Sequence, residues 1–122
     1  MQDKDKNRID MKKLLFVLIF ALLGSMAVKA QTVYSVQYKS DADVKVYVTN
    51  NKSDADVVVY KCNYKSDADA NKGLWSFVNY KSDAKKKIYF VDWKSDADIV
   101  VYYTNNKSDA GWRNRSKMYK MQ

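Results

Sequence analysis

The chain has no histidine and no proline, one cysteine and three glycines among 122 residues. Without histidine there is no imidazole base for a nucleophilic triad and no imidazole ligand for a metal. A single cysteine excludes an intramolecular disulfide, the usual brace of a small exported domain. Cys62 therefore reads as a small buried apolar residue, with a reactive thiol or an intermolecular bridge as the alternative. No glycine-rich or serine-rich linker divides the chain, so it offers no domain boundary of that kind. Apolar runs are also scarce. The one long run, Leu14 to Leu23, falls short of the roughly 20 residues that cross a bilayer.

That run belongs to a different pattern. Met11-Lys12-Lys13 supplies a basic start, the apolar stretch follows, and Val28-Lys29-Ala30 places small or medium residues where a signal peptidase reads. This predicts an export signal over residues 11–30, with residues 1–10 as an upstream extension. A retained membrane anchor is the competing reading. No cysteine stands near the expected cut for lipid attachment. The chain from Gln31 to Gln122 is then one small secreted or periplasmic domain, free of the membrane after cleavage. Its net charge of +5 permits contact with anions without demanding it.

What is abundant is repetition. Lys-Ser-Asp-Ala occurs six times, starting at Lys39, Lys52, Lys65, Lys81, Lys94 and Lys107, with steps of 13, 13, 16, 13 and 13 residues. A fixed short period means one small structural unit repeated. The first three copies map onto the last three at an offset of 42 residues. The third and sixth differ from the rest, running on to Gly73-Leu74-Trp75 and to Gly111-Trp112. Each unit reads as a strand followed by a corner. Val44, Val46 and Val48 alternate with Lys45, Tyr47 and Thr49, the period of a strand. Val57 to Tyr60 and Ile99 to Tyr103 are apolar on both faces, which predicts cover on both sides. No segment after residue 30 carries a helical apolar stripe, and the tail from Ser116 to Gln122 reads as a last strand or a fraying end. The expectation is an all-β single domain of six strand-plus-corner repeats in two sets of three. Repetition alone leaves open whether the second pass interleaves with the strands of the first or stacks on it as an unknotted three-sided β-helix.

The corners are Ser40, Asp41 and Ala42; Ser53, Asp54 and Ala55; Ser66, Asp67 and Ala68; Ser82, Asp83 and Ala84; Ser95, Asp96 and Ala97; and Ser108, Asp109 and Ala110. Their regularity reads as structural. The unchanging alanine suggests a crowded inner site, and the unchanging aspartate a hydrogen-bonded turn. The next position is Asp43, Asp56, Asp69, Lys85, Asp98 or Gly111, and its variation suggests that it faces water. A calcium loop is the alternative, but calcium wants six to eight oxygens and each corner brings two carboxylates at best. Most aromatics recur at equivalent positions, such as Tyr47, Tyr60, Tyr89 and Tyr102, as packing or cross-strand ladders would require.

Three classes of function follow. The first is an exported, non-enzymatic structural or binding module with no cofactor and no metal. The second is a polyanion or glycan binder through Lys85, Lys86, Lys87, Arg113 and Arg115, since Lys85 to Lys87 break the repeat. Lysines guarding an edge strand explain the same residues without a ligand. The third is a hydrolase, because two carboxylates suffice for glycoside cleavage. That reading needs a pair in unlike surroundings, whereas six equivalent corners offer like ones. No catalytic residue is assigned. Export speaks against a nucleic-acid partner and leaves glycan, polyanion or protein.

The repeated Lys-Ser-Asp-Ala-Asp before Val-x-Val-Tyr, the Thr-Asn-Asn-Lys-Ser-Asp-Ala units and the closing Lys107-Ser-Asp-Ala-Gly-Trp-Arg113-Asn114 resemble the septoil knot domain family. The resemblance runs from about Val33 to Asn114. It implies a small all-β domain whose backbone forms a seven-crossing knot, and it brings no activity and no site residues.

Overall fold

The computed structural model describes residues 30–122. The expected extension and the export signal up to residue 29 lie outside the described residues. Among the described residues seven strands form: β1 (Thr32–Ser35), β2 (Val44–Val48), β3 (Val57–Lys61), β4 (Leu74–Phe77), β5 (Lys86–Phe90), β6 (Ile99–Thr104) and β7 (Gly111–Trp112). Each of β2, β3 and β6 is a run of β-branched and aromatic residues that suits a pleated, covered surface.

The first six strands are parallel and pair in the order β4-β1-β5-β2-β6-β3, and β3 pairs β4 to close the ring. The strands of the second set thus stand between those of the first. A three-sided β-helix would match each strand with its single counterpart on a separate side. Here each of the six pairs with two strands of the other set in one continuous, barrel-like sheet.

Alternation then sorts the side chains. Val33, Ile88, Val44, Val46, Ile99, Val101, Val57, Val59 and Trp75 fill the barrel. Each such side chain is worth roughly 1.5–3 kcal/mol when fully buried. Val58 and Val100 are buried on the outer face, as strands apolar on both sides require. Tyr47, Tyr60, Tyr89 and Tyr102 are half-buried and lie outside the core cluster, so their regular spacing places them on the outer face and not in the core.

The corners lie outside the barrel, each straddling one strand. In the crossover from β1 to β2, the Val36 N–H donates to Ile88 and the Asp43 N–H to Lys87, so that crossover rides over β5. By the same kind of bonds the second corner rides over β6, the third over β4, the fourth over β1 and the fifth over β2. The sixth packs on β3. Each regular step passes one strand and lands on the next but one. The longer third step is the exception. There the chain reverses through Ala70–Lys72 and Gly73, and β4 runs back beneath its own corner, joined by an Asp69–Leu74 bridge. That change of phase sends the second pass into the gaps of the first. It also needs glycine: Gly73 has φ +70, and a Cβ there would lie 2.5 Å from the Val58 carbonyl oxygen.

Each Lys-Ser-Asp is one 3-10 turn, closed by the Ala N–H donating to the Lys carbonyl. The expected roles within the corner are reversed. All six serines and all six first aspartates are exposed, and of the alanines only Ala55 and Ala68 are buried, the others being half-buried. The second acid does the bonding. The Lys87 N–H donates to Asp43 Oδ2 at 2.9 Å, the Lys45 N–H to Asp98 Oδ2 at 2.8 Å and the Val100 N–H to Asp56 Oδ2 at 2.8 Å. Each carboxylate holds the first turn of the strand pair it opens. At Lys85 there is no carboxylate to accept from the covered strand, and the corner is held by its own N–H, which donates to the Thr32 carbonyl at 3.0 Å and to Thr32 Oγ1 at 2.9 Å.

The tail forms neither a strand nor a frayed end. Arg115–Met121 is a 3-10 helix laid across the rim where the strands begin. Met121 enters the core cluster fully buried. Lys117 meets Asp56 at 3.4 Å, Lys120 meets Asp98 at 3.9 Å, and Gln122 donates to Asn71.

Candidate functional site

The two irregular units come together. The third corner with its hairpin, the sixth corner with β7, and the tail helix enclose a cleft of about 640 Å³. Its walls carry Lys72 and Asp67 from the third unit, Lys107 and Trp112 from the sixth, and Arg115 and Met118 from the tail. Trp112 is fixed by its indole N–H, which donates to the Ala70 carbonyl at 2.8 Å. Asp69 is engaged as a cap, accepting from the Asn71 N–H at 2.9 Å. Three cations, the exposed carboxylate of Asp67 and a pinned indole can hold a compact ligand that has an apolar face and an anionic group. Sequence reading missed Lys72, Lys107 and Trp112, although the irregularity of units three and six was its visible signal.

The expected basic group is dispersed. Lys86 and Lys87 are the first two residues of β5 and Lys85 precedes it. Alternation sends Lys86 and Lys87 to opposite faces. Arg113 follows β7 and Arg115 opens the tail helix, both beside β3, three strands away around the barrel. Arg115 reaches the cleft; the three lysines do not line it.

Cys62 is buried beneath the third corner, its thiol 3.9 Å from the Tyr60 carbonyl. Burial pushes its pKa up, Lys107 pulls it down and Asp67 raises it, so the thiol form prevails at neutral pH. At the far mouth of the barrel the Tyr103 hydroxyl is buried with no hydrogen-bond partner among the described residues. Burial pushes its pKa up to about 12. Lys61 Nζ sits 4.2 Å from the centre of that ring and 5.2 Å from that of Phe77. Among the described residues, no three Cys, Asp or Glu side chains gather as a metal site would need.

A family model for the 7(1) septoil knot domain matches residues 30–113, which span all six corners. The chain belongs to that family. No curated protein and no solved structure matches it. In this septoil knot domain the tail helix begins beyond the matched stretch. The barrel and the corner walls of the cleft thus fall within the family match, while Arg115 and Met118 are added from outside it.

Proposed function

We propose that the domain is an exported, non-catalytic binding module whose ligand seats in the cleft between the third and sixth corners. The observation that carries this is the convergence of both irregular units on that cleft. Four regular units build the barrel, and the two that depart from the pattern shape a concavity with a fixed indole and three cations. The non-catalytic reading rests on the first aspartates, which are all exposed at equivalent corners and so lack the unlike surroundings an acid–base pair needs. The export reading rests on the basic-apolar-small pattern over residues 11–30.

Titration of the full chain with anionic oligosaccharides and small carboxylates, at two salt concentrations, tests the cleft. Affinity is expected to fall in Lys107→Ala and Arg115→Ala. Binding that ignores both changes but disappears in a Lys85→Ala, Lys86→Ala, Lys87→Ala variant would instead support the polyanion reading. Recovery of the secreted chain with Gln31 as its first residue tests export, and retention of residues 1–30 inside the cell refutes it.

The same reading includes a knotted backbone. Its support is the strand order, in which every regular crossover rides over a strand of the other set. Mechanical extension from both ends is expected to yield a contour length shorter than 3.3–3.6 Å per residue allows, the deficit being chain trapped in the tightened knot. Full extension would leave an unknotted barrel.

A further inference from the structure

The residue just before each Lys-Ser-Asp turn divides the molecule in two. Taken in the order of the strands the corners cover, these residues are Tyr64, Tyr80, Tyr38, Trp93, Asn51 and Asn106. Sequence order scatters them, whereas the barrel gathers the four aromatics over β4, β1, β5 and β2 and leaves the two asparagines over β6 and β3. One side of the molecule therefore carries an unbroken arc of aromatic rings. They are 70%, 69%, 68% and 71% exposed, respectively. That the corners are neighbours is visible in the Lys81–Asp41 ion pair at 3.9 Å, which links the fourth corner to the first.

The rings do not serve the fold. Asn51 accepts from the Ser53 N–H at 3.1 Å and from its hydroxyl at 2.8 Å, and Asn106 caps Ser108 in the same way. The aromatic corners have no such side-chain cap, yet their backbones stay in the same extended region. Each ring thus forgoes two hydrogen bonds and exposes a large apolar face to water, a combination that marks a contact surface.

The neighbours indicate the partner. Each ring is preceded by an exposed amide or acid, Asn63, Asn79, Gln37 or Asp92, and followed by an exposed lysine, serine and aspartate. Every corner in the arc balances its lysine with an aspartate, so the arc has no excess of positive charge with which to hold a polyanion. Planar amides and carboxylates beside π faces suit a ligand with apolar C–H faces and hydroxyl edges. Four rings in succession suit a polymer, since tethered contacts reinforce one another.

We propose that this arc binds a neutral polysaccharide, sugar faces stacking on Tyr64, Tyr80, Tyr38 and Trp93 while the flanking polar side chains bond the hydroxyls. The arc adjoins the cleft at the third corner, where Ser66 and Asp67 line the cleft, but the proposal does not rest on the cleft reading and its variants at Tyr38, Tyr80 and Trp93 lie outside that lining. The test is retention of the full chain on cellulose, chitin, β-1,3-glucan and mannan, with heparin and oligothymidylate as charged comparators. Tyr38→Asn, Tyr80→Asn and Trp93→Asn each install the residue that Asn51 and Asn106 already show to fit, so these variants are expected to keep or raise the melting temperature. Each is expected to weaken retention on one of the neutral polymers about fivefold or more, the equivalent of about 1 kcal/mol per ring, and the triple variant to abolish it. Asn51→Tyr, which lengthens the arc by one ring, is expected to strengthen it. Absence of retention on all four polymers, retention untouched in the folded triple variant, or binding confined to heparin or oligothymidylate would each overturn the proposal.

Discussion

Replacing Asp56 and Asp54 by alanine, one at a time, separates the two acids of a single corner. Asp54 belongs to the word repeated six times; Asp56 stands at the position that varies. The structure reverses the ranking this suggests. Asp56 is buried and accepts from the Val100 N–H at 2.8 Å, from Asn114 at 3.3 Å and from Lys117 at 3.4 Å. Truncation leaves a buried backbone N–H without a partner, which costs about 1–3 kcal/mol. It also releases the Asn114 and Lys117 bonds, which are partly exposed and add about 1 kcal/mol between them. The expected loss is therefore about 2–4 kcal/mol. At about 4–8 °C per kcal/mol for a domain of this size, the melting point falls by about 8–32 °C. Asp54→Ala removes an exposed carboxylate with no side-chain partner among the described hydrogen bonds and ion pairs, so a change within about 0.5 kcal/mol is expected. Equilibrium urea unfolding, with incubation long enough for forward and reverse curves to coincide, measures both. Equal costs for the two substitutions would refute the view that the second acid holds the strand pair.

Three further outcomes are expected. Met121→Ala, at a fully buried position in the core cluster, is expected to cost about 2–5 kcal/mol, and an unchanged urea midpoint would show that the tail does not close the barrel. Gly73→Ala places a methyl group 2.5 Å from a backbone oxygen at φ +70; it is expected to cost more than about 1 kcal/mol and to slow refolding, and a stabilising effect would deny the reversal before β4. Tyr103 keeps its proton in the folded state up to about pH 12, while the unfolded phenol loses it near pH 10. Below pH 10 both states are protonated and the contribution is fully present. Stability is then lost between about pH 10 and 12, by roughly 2–3 kcal/mol. Ultraviolet titration is expected to show a late phenol step that is absent in Tyr103→Phe.

The strands were legible because alternation needs only neighbours in sequence. Val44 to Val48 and Ile99 to Tyr103 declare their faces locally, and the two sets of three follow from spacing. The pairing was not legible. Val57, Val44 and Ile88 look alike, and only the phase change at Ala70–Gly73 decides that the second pass enters the gaps of the first. The roles of the two acids were misread for a related reason. Repetition reports what recurs, whereas Asp43, Asp56 and Asp98 draw their importance from a backbone N–H on a strand distant in sequence. The tail was opaque too, because Met118 and Met121 make no period of their own and acquire meaning from the open end of the barrel.

The Lys-Ser-Asp-Ala corner also explains how so short a chain builds a parallel barrel. Parallel neighbours ordinarily need crossovers of a dozen or more residues, often a helix. Here eight residues suffice in the crossovers that follow β1, β2, β4 and β5. A return along a five-residue strand covers about 16 Å, and passing two strand spacings adds about 10 Å sideways, a path of about 19 Å. Eight residues reach about 26–29 Å when extended, which leaves slack for one 3-10 turn and no more. The turn must therefore be tight, it must stand outside the barrel, and its Lys-Ser-Asp must point to solvent. Closure of the ring removes the sheet edges that would invite aggregation, and the crossovers cover the outer faces of Val58 and Val100. With core, rim and corner all constrained by geometry, the position before each turn is the one that architecture leaves free. Four of the six carry an exposed ring there, and the barrel order sets them side by side.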